Sequence, residues 1–81
     1  MSIRMFTLST CGHCRAAKIF MEDNGISYEF IDVDLLAGEE RKNTIAELTG
    51  YNPARSFPTI LIGDRAIIGF SESKLREALG I

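Results

Sequence analysis

The chain has 81 residues, 46% hydrophobic and 25% charged, with no tryptophan and a net charge of −2 at neutral pH. That is room for one domain, residues 1–81, with the balance of an ordinary folded protein rather than a disordered or collagen-like one. A mild negative charge without a basic block excludes a nucleic-acid footprint, and no apolar run approaches the ~20 residues of a membrane span.

The N-terminal MSIRMFTLST lacks an apolar signal region and a small-residue cleavage site, so a cytoplasmic, monomeric protein is expected. Ser2 to Leu8 then reads as a strand that is apolar on both sides of its alternation apart from Arg4 and Thr7, which suits a strand covered on both faces. After Gly12 the spacing predicts a helix. Cys14, Ala17 and Met21 share one face with Phe20 beside them, and Asn24-Gly25 is the stop. ISYEFIDVD, residues 26–34, is β-branched and aromatic and reads as a second strand.

LLAGEERKNTIAELTG, residues 35–50, reads as a second helix, with Glu39 and Glu40 near its start, Ile45 and Leu48 as its apolar edge and Gly50 as its end. FPTILIGDRAIIGF, residues 57–70, reads as two short strands joined at Gly63-Asp64. SESKLREALG closes the chain as a helix capped by Ser71, with Leu75, Ala78 and Leu79 as its buried stripe and Gly80 as its exit. The order βαβαββα implies an α/β fold: a four-stranded mixed sheet with a parallel pair, an added antiparallel hairpin and helices on both faces.

Cys11 and Cys14 are the only cysteines. At a strand-to-helix junction the Cys11 sulfur lies among the unpaired N–H groups of the first helical turn, which stabilise a thiolate. Cys14 sits within reach for an internal disulfide, and its neighbours Ala17 and Met21 turn it towards the core. The asymmetry assigns Cys11 as nucleophile and Cys14 as the thiol that resolves a mixed disulfide. Zinc needs about four N or S ligands, and two Cys with one His crowded between them fall short. A structural disulfide here would close a loop too small to gain much entropy. Two inert buried thiols are the blandest alternative. A C-x-x-C after a strand in a βαβ pattern favours redox chemistry over these. Gly12 and His13 lie between the cysteines as tuning positions. An imidazole near the thiolate would make the couple more oxidising, against the plainer reading of an exposed filler. Arg15 reads as a solvated face residue.

The C-x-x-C, the element order and two later landmarks, RSFPT (Arg55 to Thr59) and GFSES (Gly69 to Ser73), together resemble a glutaredoxin over essentially the whole chain, and hence the thioredoxin fold. The resemblance implies a cis Pro58 that lets the main chain of Phe57 face Cys11 and pair with an extended substrate. It also implies that Gly69, Ser71 and Glu72 receive the γ-glutamyl end of glutathione at a helix N-terminus. Arg55 is either a partner for a substrate carboxylate or a solvated residue. The chain departs from the family at Gly12-His13, where Pro-Tyr is usual, and at Leu8, where a lysine is often found. It also carries Phe70 in place of a second glycine, a ring expected to fill part of the glutathione groove. A Gly-Phe loop also occurs in glutaredoxin-like reductants of ribonucleotide reductase that take electrons from thioredoxin reductase. The expected function is a thiol–disulfide oxidoreductase acting on protein or mixed disulfides. It would have no permanently bound cofactor or metal, and glutathione or thioredoxin reductase as donor. A [2Fe–2S] carrier or an inert-thiol binding module are the alternatives.

Overall fold

β1 (Ile3–Thr7) occupies an inner position of a four-stranded sheet ordered β2-β1-β3-β4. The computed structural model describes residues 2–81. β1 pairs in parallel with β2 (Glu29–Asp32) and antiparallel with β3 (Thr59–Ile62), which pairs antiparallel with β4 (Arg65–Ile68). The parallel pair needs a crossover, and α1 (Gly12–Asp23) supplies it. α2 (Gly38–Tyr51) links β2 to β3, and α3 (Glu72–Leu79) follows the β3–β4 hairpin.

Strand alternation divides the core into two layers. Ile3 and Met5 of β1, Ile60 and Ile62 of β3 and Ile67 of β4 point to the side where Ala17, Phe20 and Met21 of α1 and Leu75 of α3 pack. Phe6 and Leu61 point the other way, against Leu48 of α2 and Val33. Each such aliphatic or aromatic side chain taken from water contributes roughly 1.5–3 kcal/mol, so nearly every apolar strand residue matters in a domain this small. Helices therefore cover both faces, as the alternation predicts. On the second face Arg4 makes a paired contact with Glu47 (3.0 and 3.2 Å), tying β1 to α2.

Two boundaries differ from the sequence expectation. The second strand covers only Glu29–Asp32, because the chain then coils into a 3-10 turn, Val33–Leu35, that drops Val33 into the core beside Leu48. The second helix does not stop at Gly50. It continues to Tyr51 and ends at Asn52, whose N–H still donates to the Leu48 carbonyl at 2.7 Å. A glycine stops a helix by turning left-handed, and Gly50 is not among the glycines with positive φ. Gly80 does this work for α3, with φ +73 and its N–H on the Arg76 carbonyl at 2.9 Å. The hairpin turns at Gly63-Asp64 with φ +57 at Gly63, the glycine-first pattern of a type II′ turn. Among the described residues no helix is long and apolar enough to cross a membrane.

Candidate active site

β1 runs into the Leu8–Thr10 turn, which closes with the Cys11 N–H on the Leu8 carbonyl at 3.2 Å. Cys11 is the N-cap of α1, with extended backbone (φ −89, ψ 121) and its carbonyl accepting the Arg15 N–H at 3.0 Å. Its sulfur takes the place an oxygen holds in most caps, accepting the Cys14 N–H at 3.4 Å. Cys11 is partly exposed, whereas Cys14 is buried against the core.

The two thiols are driven apart. A hydrogen bond from the Cys14 thiol lowers the Cys11 pKa most; the main-chain N–H groups of Cys14 and His13 add to it, and partial burial opposes it. Burial, and then the hydrogen bond to Cys11, push Cys14 up to about 12, while the Leu8 N–H and the Lys18 charge pull weakly the other way. A nucleophilic thiolate beside a thiol that holds its proton is the arrangement dithiol exchange requires. Gly12 and His13 are exposed. His13 approaches the sulfur through its main chain, and among the described residues its imidazole makes no hydrogen bond.

Asp34 anchors the turn before Cys11. Its carboxylate accepts the Ser9 N–H at 2.9 Å and the Ser9 hydroxyl, and these hold its pKa below the usual carboxylate range. A second segment, Asn52 to Thr59, is organised by the buried Asn52 amide. It donates to the Ser56 carbonyl (3.2 Å), the Ser56 hydroxyl (3.0 Å) and the Thr59 hydroxyl (3.0 Å), and it accepts the Ala54 N–H (3.2 Å). This segment carries Arg55, exposed and in the left-handed region at φ 54, and Phe57, whose bond to the buried Pro58 is cis. The Gly69 N–H donates to the Pro58 carbonyl at 2.8 Å, so the loop before α3 is joined directly to the cis-proline segment. Gly69 has φ +82, which favours the absence of a side chain there.

At the start of α3 the Ser71 hydroxyl accepts the Lys74 N–H at 3.4 Å. The Glu72 carboxylate accepts two hydrogen bonds from Arg76, at 3.2 and 3.0 Å. Phe70 is half-buried. Its ring packs edge-on against Phe20, centroids 6.2 Å apart, and joins the α1–α3 core layer. Between the Leu8 turn and Phe57 lies a cleft of about 140 Å³ with an apolar floor that includes Val33 and Leu48, and with Arg41 and Arg55 on its lining. Asp34 and Leu8 line the same cleft.

Asn52, Asp34 and Arg41 escaped the sequence reading. The first two act only through partners distant in sequence or in an irregular loop. Arg41 had one visible signal, its place one turn before Ile45 on the apolar edge of α2. Among the described residues no group of three or more His, Cys, Asp or Glu side chains gathers to hold a metal ion.

Comparison with known proteins agrees with this geometry. The glutaredoxin family model matches residues 3–67. Glutaredoxin-like protein NrdH of Salmonella typhimurium is 31% identical over 70 residues, covering 86% of this chain and 79% of that protein. Methanoredoxin of Methanosarcina acetivorans is 43% identical with a TM-score of 0.93, over 99% of this chain and 85% of that one. The glutaredoxin-like NrdH-redoxin of Escherichia coli, a structure described in terms of its thioredoxin-like activity profile, is 30% identical with a TM-score of 0.75, over 95% of this chain and 93% of that one. With a redox-type cysteine pair at the head of α1 and this likeness across nearly its whole length, the chain belongs to the glutaredoxin family of thiol–disulfide oxidoreductases.

Proposed function

We propose that the protein reduces disulfides of protein substrates by a dithiol mechanism and draws its electrons from a protein reductase at least as readily as from glutathione. The observation that carries the mechanism is the contrast at the head of α1: a partly exposed Cys11 sulfur receiving the Cys14 N–H, and a buried Cys14 held protonated. Cys11 thiolate attacks a substrate disulfide, one substrate sulfur leaves as a thiol, and a mixed disulfide forms. Cys14 then attacks Cys11, releasing the second substrate thiol and leaving Cys11–Cys14 oxidised. The two sulfurs carry both electrons, so no resident cofactor is needed. The main chain of Phe57, beside the cis bond, offers an edge for an extended peptide.

Two features favour a protein reductase as donor. The Glu72 carboxylate is already paired with Arg76, and Ser71 is used as a helix cap, so the end of α3 keeps little side-chain capacity for a γ-glutamyl group. The E. coli NrdH-redoxin, a relative over most of the chain, has a thioredoxin-like activity profile. One feature favours a small anionic thiol as a second donor: the guanidinium groups of Arg41 and Arg55 on the cleft beside Leu8.

The test is a side-by-side NADPH-linked assay with glutathione plus its reductase, and with thioredoxin reductase alone. Turnover with thioredoxin reductase is expected to equal or exceed that with glutathione. Arg41→Ala with Arg55→Ala is expected to lower the glutathione rate about ten-fold or more, since a charge-assisted contact is worth ~1.5–3 kcal/mol. Glutathione turnover that exceeds the reductase-driven rate would overturn the donor assignment.

A further inference from the structure

Cys14 must lose its proton to resolve the mixed disulfide, and burial of its thiol opposes that loss. One charged group on its own helix is placed to help. Lys18 follows Cys14 by four residues, so the two side chains lie one above the other on the same face of α1. The Lys18 side chain is 20% exposed. Its ammonium lies 3.3 Å from the Asp32 carboxylate at the end of β2 and 3.9 Å from the centroid of the Phe30 ring. Asp32 is held in turn by the hydroxyl of the fully buried Thr7, its partner across the β1–β2 ladder, at 2.6 Å. A lysine amine fixed by a carboxylate, an aromatic face and a hydroxyl behind the carboxylate is more than a surface charge.

We propose that Lys18 is a positioning residue for the resolving step, its ammonium stabilising the thiolate that forms at Cys14, with Asp32, Thr7 and Phe30 holding it in place. This deepens the dithiol reading above and rests on it. Cys14–SH gives its proton to the departing substrate thiolate, by way of solvent. The new Cys14–Cys11 bond forms as the Cys11–substrate S–S bond breaks, so the products are one internal disulfide and one substrate thiol. The charges around Cys14 come from few sources. Its own helix presents Lys18, the Cys11 charge being absent once Cys11 is bonded to the substrate sulfur; β2 presents Asp32 behind Lys18. β1 presents the Thr7 hydroxyl and the turn after it the Leu8 N–H, and α3 contributes Arg76, paired with Glu72 and lying over the Phe20 ring. Phe57 and Pro58 themselves carry no ionisable group, and Arg55 before them lines the Leu8 cleft. Lys18 is the cation whose charge lowers the Cys14 pKa.

The chemistry sets the size of the effect. Each unit by which the Cys14 pKa rises removes ten-fold of its thiolate, and the more basic thiolate recovers about three-fold in nucleophilicity, leaving a net loss of about three-fold per unit.

The experiment mixes the reduced protein with excess Ellman's reagent in a stopped-flow instrument. Attack by Cys11 gives a first release of thionitrobenzoate that is proportional to reagent, and resolution by Cys14 gives a second release independent of reagent. Lys18→Met is expected to slow the second phase about three-fold or more and to move its pH midpoint upward, with the first phase unchanged. Lys18→Arg is expected to restore it. Asp32→Asn, which removes the opposing negative charge while the Phe30 face still holds the ammonium, is expected to move the midpoint downward. A purely structural role for the pair would make Lys18→Met and Asp32→Asn slow the second phase alike, and that result overturns the proposal. So does an unchanged midpoint in Lys18→Met, or an equal loss in both phases. If the wild-type protein shows no reagent-independent phase, the dithiol reading itself fails and this proposal fails with it.

Discussion

The Cys14 N–H donates to the Cys11 sulfur at 3.4 Å, and the two thiols this contact joins are displaced in opposite directions from the ordinary thiol value. The sign of the reactivity follows. Cys11 gains thiolate as pH rises through a midpoint below that of an ordinary thiol, while Cys14 stays protonated up to about 12. Alkylation with iodoacetamide near pH 6, followed by mass spectrometry, is expected to label Cys11 well ahead of Cys14. Cys11→Ser is expected to abolish disulfide reduction, and Cys14→Ser to retain attack and accumulate mixed disulfides. Faster labelling of Cys14 would reverse the assignment.

Asp34 and Ser9 connect the turn before Cys11 to the 3-10 segment after β2. The Asp34 pKa is lowered first by the hydroxyl and then by the N–H of Ser9, so its contribution is present above the ordinary carboxylate pKa and is lost as pH falls through the depressed value. Thermal unfolding of wild type and Asp34→Asn, compared from neutral to acid pH, is expected to show the wild type more stable at neutral pH and the two curves converging in acid. Parallel curves at every pH would show that the carboxylate charge is not what holds the turn.

Asn52 is 4% exposed and serves three acceptors and one donor in the segment that carries Phe57 and Pro58. Asn52→Ala leaves those groups to find other partners and is expected to cost about 1–3 kcal/mol, read from urea unfolding. Asn52→Asp can keep the accepting contact to Ala54 but loses the donors, and is expected to recover little of the loss.

Gly12 is the first residue of α1, a Cβ there meets no atom within 4 Å, and Cys11 before it already holds the extended conformation that a proline demands of its predecessor. Gly12→Pro is expected to stabilise the fold by about 0.4–1 kcal/mol, raising Tm by a few degrees in a calorimetric scan. The donors to the Cys11 sulfur are the Cys14 thiol and the N–H groups of Cys14 and His13, none of them from Gly12, so Cys11 alkylation at a given pH is expected to change little.

Phe70 tests which way a loop residue points. Packed on Phe20, it is expected to cost roughly 1–3 kcal/mol when replaced by glycine, a loss visible in urea unfolding. A ring lying free across a ligand groove would be removed at little cost in stability.

Much of this protein is legible in local pattern. The two-residue alternation that sends Ile3 and Met5 to one face and Phe6 to the other, the helical spacing of Cys14, Ala17 and Met21, and the Ser71 cap each depend on backbone geometry within a few residues, so they determine the elements, their order and the placement of the cysteines at a helix head. What only the tertiary structure decided are relationships between residues far apart in the chain. Leu8 suggests a site without a cation, but the packing of α2 and the left-handed turn at Arg55 place Arg41 and Arg55, with Asp34, along the cleft beside it. Phe70 reads in sequence only as a ring in a loop, and the fold adds its partner, Phe20 of α1, because burying one ring against another is worth more than exposing both. The Lys18–Asp32–Thr7 chain spans α1, β2 and β1, and no local pattern announces it, because a charge buried by another element is indistinguishable in sequence from one left in water.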